Sequence, residues 1–213
     1  MNLQLALDRL TKEQCFQIIK ETSDAIDWIE VGTGVIKAYG MEIVREISEA
    51  YPEKTIVADM KTCDAGRHEA EQAFEAGADI TTVMAFSADK TITDMLKVAT
   101  KYETRVMVDL LGVTDKNRIE QLKELGVDLV SLHFGKDMQQ TGDMGGDLFS
   151  LVQDIPGMEY SVAGGINLTS LPRIMKYNPD TVIVGSGITK HENRKEAALK
   201  MKEVIEDYAK HNQ

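Results

Sequence analysis

Apolar runs, many of them β-branched, recur at residues 3–7, 28–31, 55–58, 80–83, 106–108, 129–132, 160–163 and 181–184. Runs this short and continuous suit strands of a parallel sheet buried on both faces. Helix-period segments lie between them. In one of these, 65–76, Ala70, Ala73 and Phe74 fall on a common face. Thr11, Asp89 and Asp115 stand where the N-caps of following helices are expected. The phrases Glu75-Ala76-Gly77-Ala78-Asp79 and Glu124-Leu125-Gly126-Val127-Asp128 repeat a helix stop, with glycine in the left-handed position after the last turn.

With strand ends at Asp8, Glu30, Asp59, Val83, Asp109, His133, Ala163 and Gly185, successive ends lie 22 to 30 residues apart. Eight strands, each followed by a helix at that period, predict an α/β fold: a (β/α)8 TIM barrel with residues 1–213 as one catalytic domain. The competing fold is an open doubly wound sheet, which usually has fewer strands and a glycine-rich first turn. Here the first turn is Leu7-Asp8-Arg9-Leu10, without glycine. The four prolines are scattered and mark no linker. Residues 135–147 form the longest irregular stretch and are expected to act as a flap after strand six.

Composition narrows the partners. The chain is 43% hydrophobic and 28% charged, enough apolar residue to build a core. Its net charge of −11 repels phosphate polymers and anionic lipid, so neither nucleic acid nor a membrane is expected as a partner. No run approaches the ~18 apolar residues of a membrane span. A small phosphorylated ligand, held by a few local donors, remains compatible. Cys15 and Cys63 show no pairing pattern and the first residues lack a signal-peptide core, so a reduced, cytoplasmic setting is expected.

The candidate chemistry sits at the strand ends, which converge on one rim of a parallel barrel. Five of the eight are ionisable: Asp8, Glu30, Asp59, Asp109 and His133. An Asp after a strand can also cap a helix or open a turn, so Asp8 or Asp109 alone has a structural reading. The densest cluster is Asp59-Met60-Lys61-Thr62-Cys63-Asp64-Ala65-Gly66. Simple alternation puts Asp59 and Lys61 on the barrel side, with Lys61 between the carboxylates Asp59 and Asp64. Asp64 is equally placed to cap a helix starting at Ala65. Glu30 and Asp59 end neighbouring strands, where two carboxylates call for a hard divalent cation, Mg²⁺ by preference. His133 is assigned an acid/base role; His68, His191 and His211 are expected to face solvent. Strands seven and eight lead into Ala163-Gly164-Gly165-Ile166-Asn167 and Gly185-Ser186-Gly187-Ile188-Thr189. Glycine-rich loops at these two positions suit a phosphate held by backbone N–H groups, and read alternatively as tight turns alone.

At these residues the chain resembles the 3-hexulose-6-phosphate synthase branch of the orotidine-5′-monophosphate decarboxylase superfamily. The resemblance runs in order from Leu3-Gln4-Leu5-Ala6-Leu7-Asp8 through the Asp59-x-Lys61-x-x-Asp64 signature to Gly185-Ser186-Gly187-Ile188-Thr189. It implies a Mg²⁺-dependent, reversible aldol condensation of formaldehyde with D-ribulose 5-phosphate through a metal-stabilised enediolate. It further implies Glu30 and Asp59 as metal ligands and Lys61 and His133 as proton-transfer or oxygen-holding groups. By the same resemblance Asp8 contacts a substrate hydroxyl, and Asp64 of a homodimer reaches into its partner's site. A sister group, 3-keto-L-gulonate-6-phosphate decarboxylase, shares Asp59, Lys61, Asp64 and His133. It typically has Glu where this chain has Asp109, and Arg where it has Lys136 and Ser186, so Asp109 and Ser186 favour the synthase branch. A non-catalytic sugar-phosphate binding protein is the alternative of another class.

Overall fold

The computed structural model describes residues 1–140, 145–153 and 155–211. Its strands are β1 (Asn2–Leu7), β2 (Trp28–Val31), β3 (Thr55–Thr62), β4 (Ile80–Met84), β5 (Arg105–Asp109), β6 (Leu129–His133), β7 (Glu159–Ala163) and β8 (Thr181–Val184). All neighbours are parallel, and β8 pairs with β1 to close the barrel, as the spacing predicts. The helices are α1 (Lys12–Thr22), α2 (Thr33–Tyr39), α3 (Glu42–Ala50), α4 (Gly66–Glu75), α5 (Asp89–Tyr102), α6 (Lys116–Glu124), α7 (Gly146–Ser150), α8 (Leu171–Met175), α9 (Ser186–Thr189) and α10 (Arg194–His211), with a 3-10 turn at Met138–Gln140.

Two apolar layers follow from alternation along the strands. Outward residues such as Leu5, Ile29, Val108 and Val162 merge with the inner faces of the helices into one large core. Inward residues Val57, Ile80, Met107, Leu129 and Ile183 form a smaller cluster that fills the barrel interior, with Ala6, Trp28 and Ala163 beside it. At the N-terminal rim three aspartates in the turns that lead into strands tie the strands together. Asp27 Oδ2 accepts from Leu3 N at 2.7 Å, Asp79 Oδ2 from Ile56 N at 2.7 Å and Asp180 Oδ2 from Tyr160 N at 2.9 Å.

The local signals hold with three corrections. Thr11 caps α1 in a reciprocal box with Gln14, Asp115 caps α6, and Gly77 and Gly126 take φ of 89° and 95° after α4 and α6. Asp89 is the first residue of α5 rather than its cap; Ala88 occupies that position, and Asp89 instead accepts from Arg118 at 2.7 Å. Asp64 caps nothing, because α4 begins at Gly66 and its cap is Ala65 in the left-handed region. One helix per strand is also too simple: α2 and α3 both lie between β2 and β3, and α9 precedes α10 after β8. Of the stretch 135–147, residues 141–144 lie outside the described residues, and Gly146 and Asp147 already belong to α7.

Candidate active site

The geometry of the site begins with an irregularity in β3. Pairing with β4 shifts register between Ala58 and Thr62, and Lys61 takes a left-handed φ of 48°. Such a bulge re-aims a side chain at the cost of strained backbone. It is held open by Thr82 of β4, whose Oγ1 accepts from Lys61 N at 2.8 Å and donates to Asp59 Oδ1 at 2.9 Å. Lys61 Nζ then reaches Asp59 Oδ1 at 3.1 Å and, across the barrel mouth, Asp109 Oδ2 at 2.6 Å. The second carboxylate beside Lys61 is therefore Asp109 and not Asp64. Three residues further along, after the strand has turned outward, Asp64 is exposed and lines a groove with His68, Glu71, Lys90 and Asp94 on α4 and α5.

Asp109, at the end of β5, joins the two halves of the cluster. The same Oδ2 that meets Lys61 lies 2.9 Å from His133 Nδ1, and Oδ1 accepts from Leu111 N at 2.8 Å. Burial alone would raise the Asp109 pKa, but His133 and Lys61 outweigh it and bring it down to about 2. An ionised Asp109 can only accept, so His133 Nδ1 carries the hydrogen and Nε2 is left as the basic nitrogen. Burial works against a charged imidazole, yet Asp109 raises the His133 pKa above its ordinary value. Burial likewise opposes the Lys61 ammonium, and Asp59 and Asp109 together hold its pKa above the usual lysine range.

Glu30 and Asp59 face this cluster from β2 and β3. Asp59 is 7% exposed and well supplied with donors: besides Lys61 and Thr82, Thr33 Oγ1 lies 2.8 Å from its Oδ2. Glu30 receives one donor among the described residues, Gln4 Nε2 at 2.6 Å. Its pKa is pushed up to about 7, first by burial and then by the charge of Asp59. Burial and the neighbouring Asp59 charge thus both disfavour an ionised Glu30, and a divalent cation would offset both. The described residues hold no group of three or more His, Cys, Asp or Glu side chains able to cage a metal. Two hard carboxylate donors fit Mg²⁺, which usually keeps several water ligands, better than a metal that needs a full protein cage.

The two glycine loops are brought together at the same rim. Gly164 has φ of 128°, and a Cβ there would lie 2.3 Å from Phe134 O; Gly187 packs so closely that a Cβ would meet Ile166 O at 2.4 Å. Gly165 and Ser186 are exposed, the latter as the first residue of α9. A Cβ on Gly185 would find only ordinary contacts, the nearest being Ala6 O at 3.6 Å. Asp8 stands apart from the Lys61 cluster. Its Oδ1 accepts from Gly34 N in the first turn of α2 at 2.9 Å and its Oδ2 lies 3.0 Å from Arg9 Nε, so it does not cap the next helix, α1, which Thr11 caps, but holds the start of α2. His68, His191 and His211 are exposed, as expected. Gln4, Thr33 and Thr82 were not singled out from the sequence. The available signal was a polar residue at an inward position of an apolar run, clear for Gln4 and Thr82 and absent for Thr33.

The model of the orotidine 5′-phosphate decarboxylase / HUMPS family matches residues 1–201. A 3-hexulose-6-phosphate synthase of Bacillus subtilis (strain 168) is 39% identical over 207 residues, covering 96% of this chain and 99% of its own. The crystal structure of 3-hexulose-6-phosphate synthase from Salmonella typhimurium superposes with a TM-score of 0.95 at 34% identity, over 98% of this chain and all (100%) of that one. KGPDC from Streptococcus mutans, solved as a complex with a bound ligand, superposes with a TM-score of 0.90 at 27% identity, over 97% of this chain and 98% of its own.

Proposed function

The chain belongs to the orotidine 5′-phosphate decarboxylase / HUMPS family, and from that premise we propose that it is a Mg²⁺-dependent aldehyde-lyase joining formaldehyde to D-ribulose 5-phosphate. The product is 3-hexulose 6-phosphate, and the reaction is reversible. The observation that carries this reading is Asp109 Oδ2 shared between Lys61 at 2.6 Å and His133 at 2.9 Å. It sets a base and a permanent positive charge side by side, with a basic ring nitrogen directed away from the carboxylate.

His133 Nε2 takes a proton from the hydroxymethyl carbon beside the substrate ketone. The Lys61 ammonium, unable to release its proton easily between Asp59 and Asp109, stabilises the negative charge that develops on oxygen. Glu30 and Asp59 would hold a Mg²⁺ ion, which when bound would supply Lewis-acid stabilisation of the negative charge that develops on substrate oxygen. The carbon nucleophile of the enediolate then attacks formaldehyde, and the new alkoxide takes up a proton, so no net proton is consumed. Gly164, Gly165, Gly185 and Ser186 hold the phosphate through backbone N–H groups and supply binding energy remote from the reacting carbon. By the family resemblance, Asp8 contacts a substrate hydroxyl.

Asp64, exposed on the outer groove, acts in the site of a second subunit of a homodimer. Phe86, 65% exposed in the loop leading into α5, supports an apolar contact on that side of the barrel. No helix among the described residues is long and apolar enough to cross a membrane; we place the enzyme in the cytoplasm. The deciding assay supplies Mg²⁺, ribulose 5-phosphate and formaldehyde and follows formaldehyde loss. Decarboxylation of 3-keto-L-gulonate 6-phosphate with no formaldehyde consumption would assign the sister reaction. Ligand binding without turnover of either would leave a sugar-phosphate binding protein.

A further inference from the structure

We propose that Gln4 is a positioning residue for the metal centre, its side-chain amide fixing Glu30 in the orientation that a divalent cation needs. This rests on Glu30 being a metal ligand. Gln4 is fully buried in β1, in register with Trp28, two residues before Glu30 on the neighbouring strand. Its Nε2 donates to Glu30 Oε2 at 2.6 Å, and no other donor among the described residues reaches Glu30. Its Oε1 is buried with no partner among the described residues.

An orphaned buried carbonyl is costly, and the large majority of buried polar atoms avoid that state. A side chain needed only to fill the interior here would be apolar, like its inward neighbours Ala6 and Trp28. Turning the amide over would set its oxygen against a carboxylate oxygen and remove the donor from Glu30. The orphan is thus the counterpart of the donation: the amide is aimed at Glu30 at the expense of its own oxygen. Asp59 does not need such help, because Thr33, Thr82 and Lys61 already hold it. With Oε2 engaged by Gln4, the second Glu30 oxygen remains available to a cation.

The test is calorimetric titration of metal-free protein with Mg²⁺ at mildly alkaline pH, comparing wild type, Gln4→Met, Gln4→Asn and Glu30→Gln. Gln4→Met keeps the length and removes the donor; Gln4→Asn keeps the amide but falls one methylene short. Both are expected to weaken Mg²⁺ binding by about 10- to 100-fold, the usual range for losing a group that supports a ligand. Cooperative unfolding should be kept, and saturating Mg²⁺ should restore kcat, which a distorted barrel would not permit. Unchanged affinity in the Gln4 variants, with binding lost in Glu30→Gln, overturns the role of Gln4 and leaves Glu30 a ligand. Unchanged affinity in Glu30→Gln overturns both. A kcat that stays low at saturating Mg²⁺ also overturns the positioning role.

Discussion

Asp109 Oδ2 serves two donors at once, the Lys61 ammonium and the His133 ring N–H, so neither can respond independently to its loss. In Asp109→Asn the imidazole loses the charge that raises its pKa. The His133 titration midpoint, read by NMR, should fall below that of the wild type, and turnover should drop by about 10²-fold or more. Asp109 and Glu30 also have opposite pH signs. The Asp109 pKa is depressed, so its stabilising contribution is present above the ordinary carboxylate range and is lost as pH falls toward about 2. The Glu30 pKa is raised from 4.5 to about 7, so the metal-free fold binds a proton there that the unfolded chain has released. Its stability should therefore decline as pH rises through that interval and remain lower above it. Thermal unfolding in chelator across pH checks this: Mg²⁺ should raise Tm more on the alkaline side, and Glu30→Gln should flatten both effects. A metal-independent Tm at every pH would refute the pairing of Glu30 with a cation.

The element that makes this cluster possible is β3, and it is also where the sequence says least. Strand positions were legible because both faces of a barrel strand are buried, so each announces itself as an apolar run. The rim carboxylates were legible because they interrupt those runs at a fixed period. The bulge at Lys61 was not, since a lysine has no intrinsic reason to adopt φ of 48°; its partner Thr82 lies on another strand. Simple alternation consequently paired Lys61 with Asp64, its neighbour in sequence, instead of Asp109, 48 residues away. Gln4 stood out as the one polar residue of its apolar run, but its role was not legible, because its partner Glu30 lies on another strand, 26 residues away. Glycines on the rim divide into two kinds that substitution should separate. Gly164→Ala places a methyl against the Phe134 backbone and should cost about 2–3 kcal/mol of stability, seen as a fall in denaturation midpoint. Gly185→Ala meets no such contact, so its effect should appear first as weaker sugar-phosphate binding, measured as an increase in KM.

For the whole molecule, the position of Asp64 on the outside of the barrel makes quaternary structure part of the catalytic proposal. Light scattering should report twice the 23.7 kDa chain mass. Separately inactive Lys61→Ala and Asp64→Ala proteins, mixed and allowed to exchange subunits, should recover roughly a quarter of wild-type activity, because half the dimers then carry one intact site. No recovery despite proven exchange would place Asp64 in its own subunit's chemistry. The barrel's opposite ends meanwhile handle acidic residues in contrasting ways. At the N-terminal rim Asp27, Asp79 and Asp180 each accept a backbone N–H of an adjacent strand, whereas the C-terminal rim gathers carboxylates that repel one another. A chain tied this way can exchange reactive residues at one end without disturbing how its strands are joined at the other. For an engineer this separates two search spaces: thermostability can be sought among the turns before the strands, and new substrate preference among the loops after them.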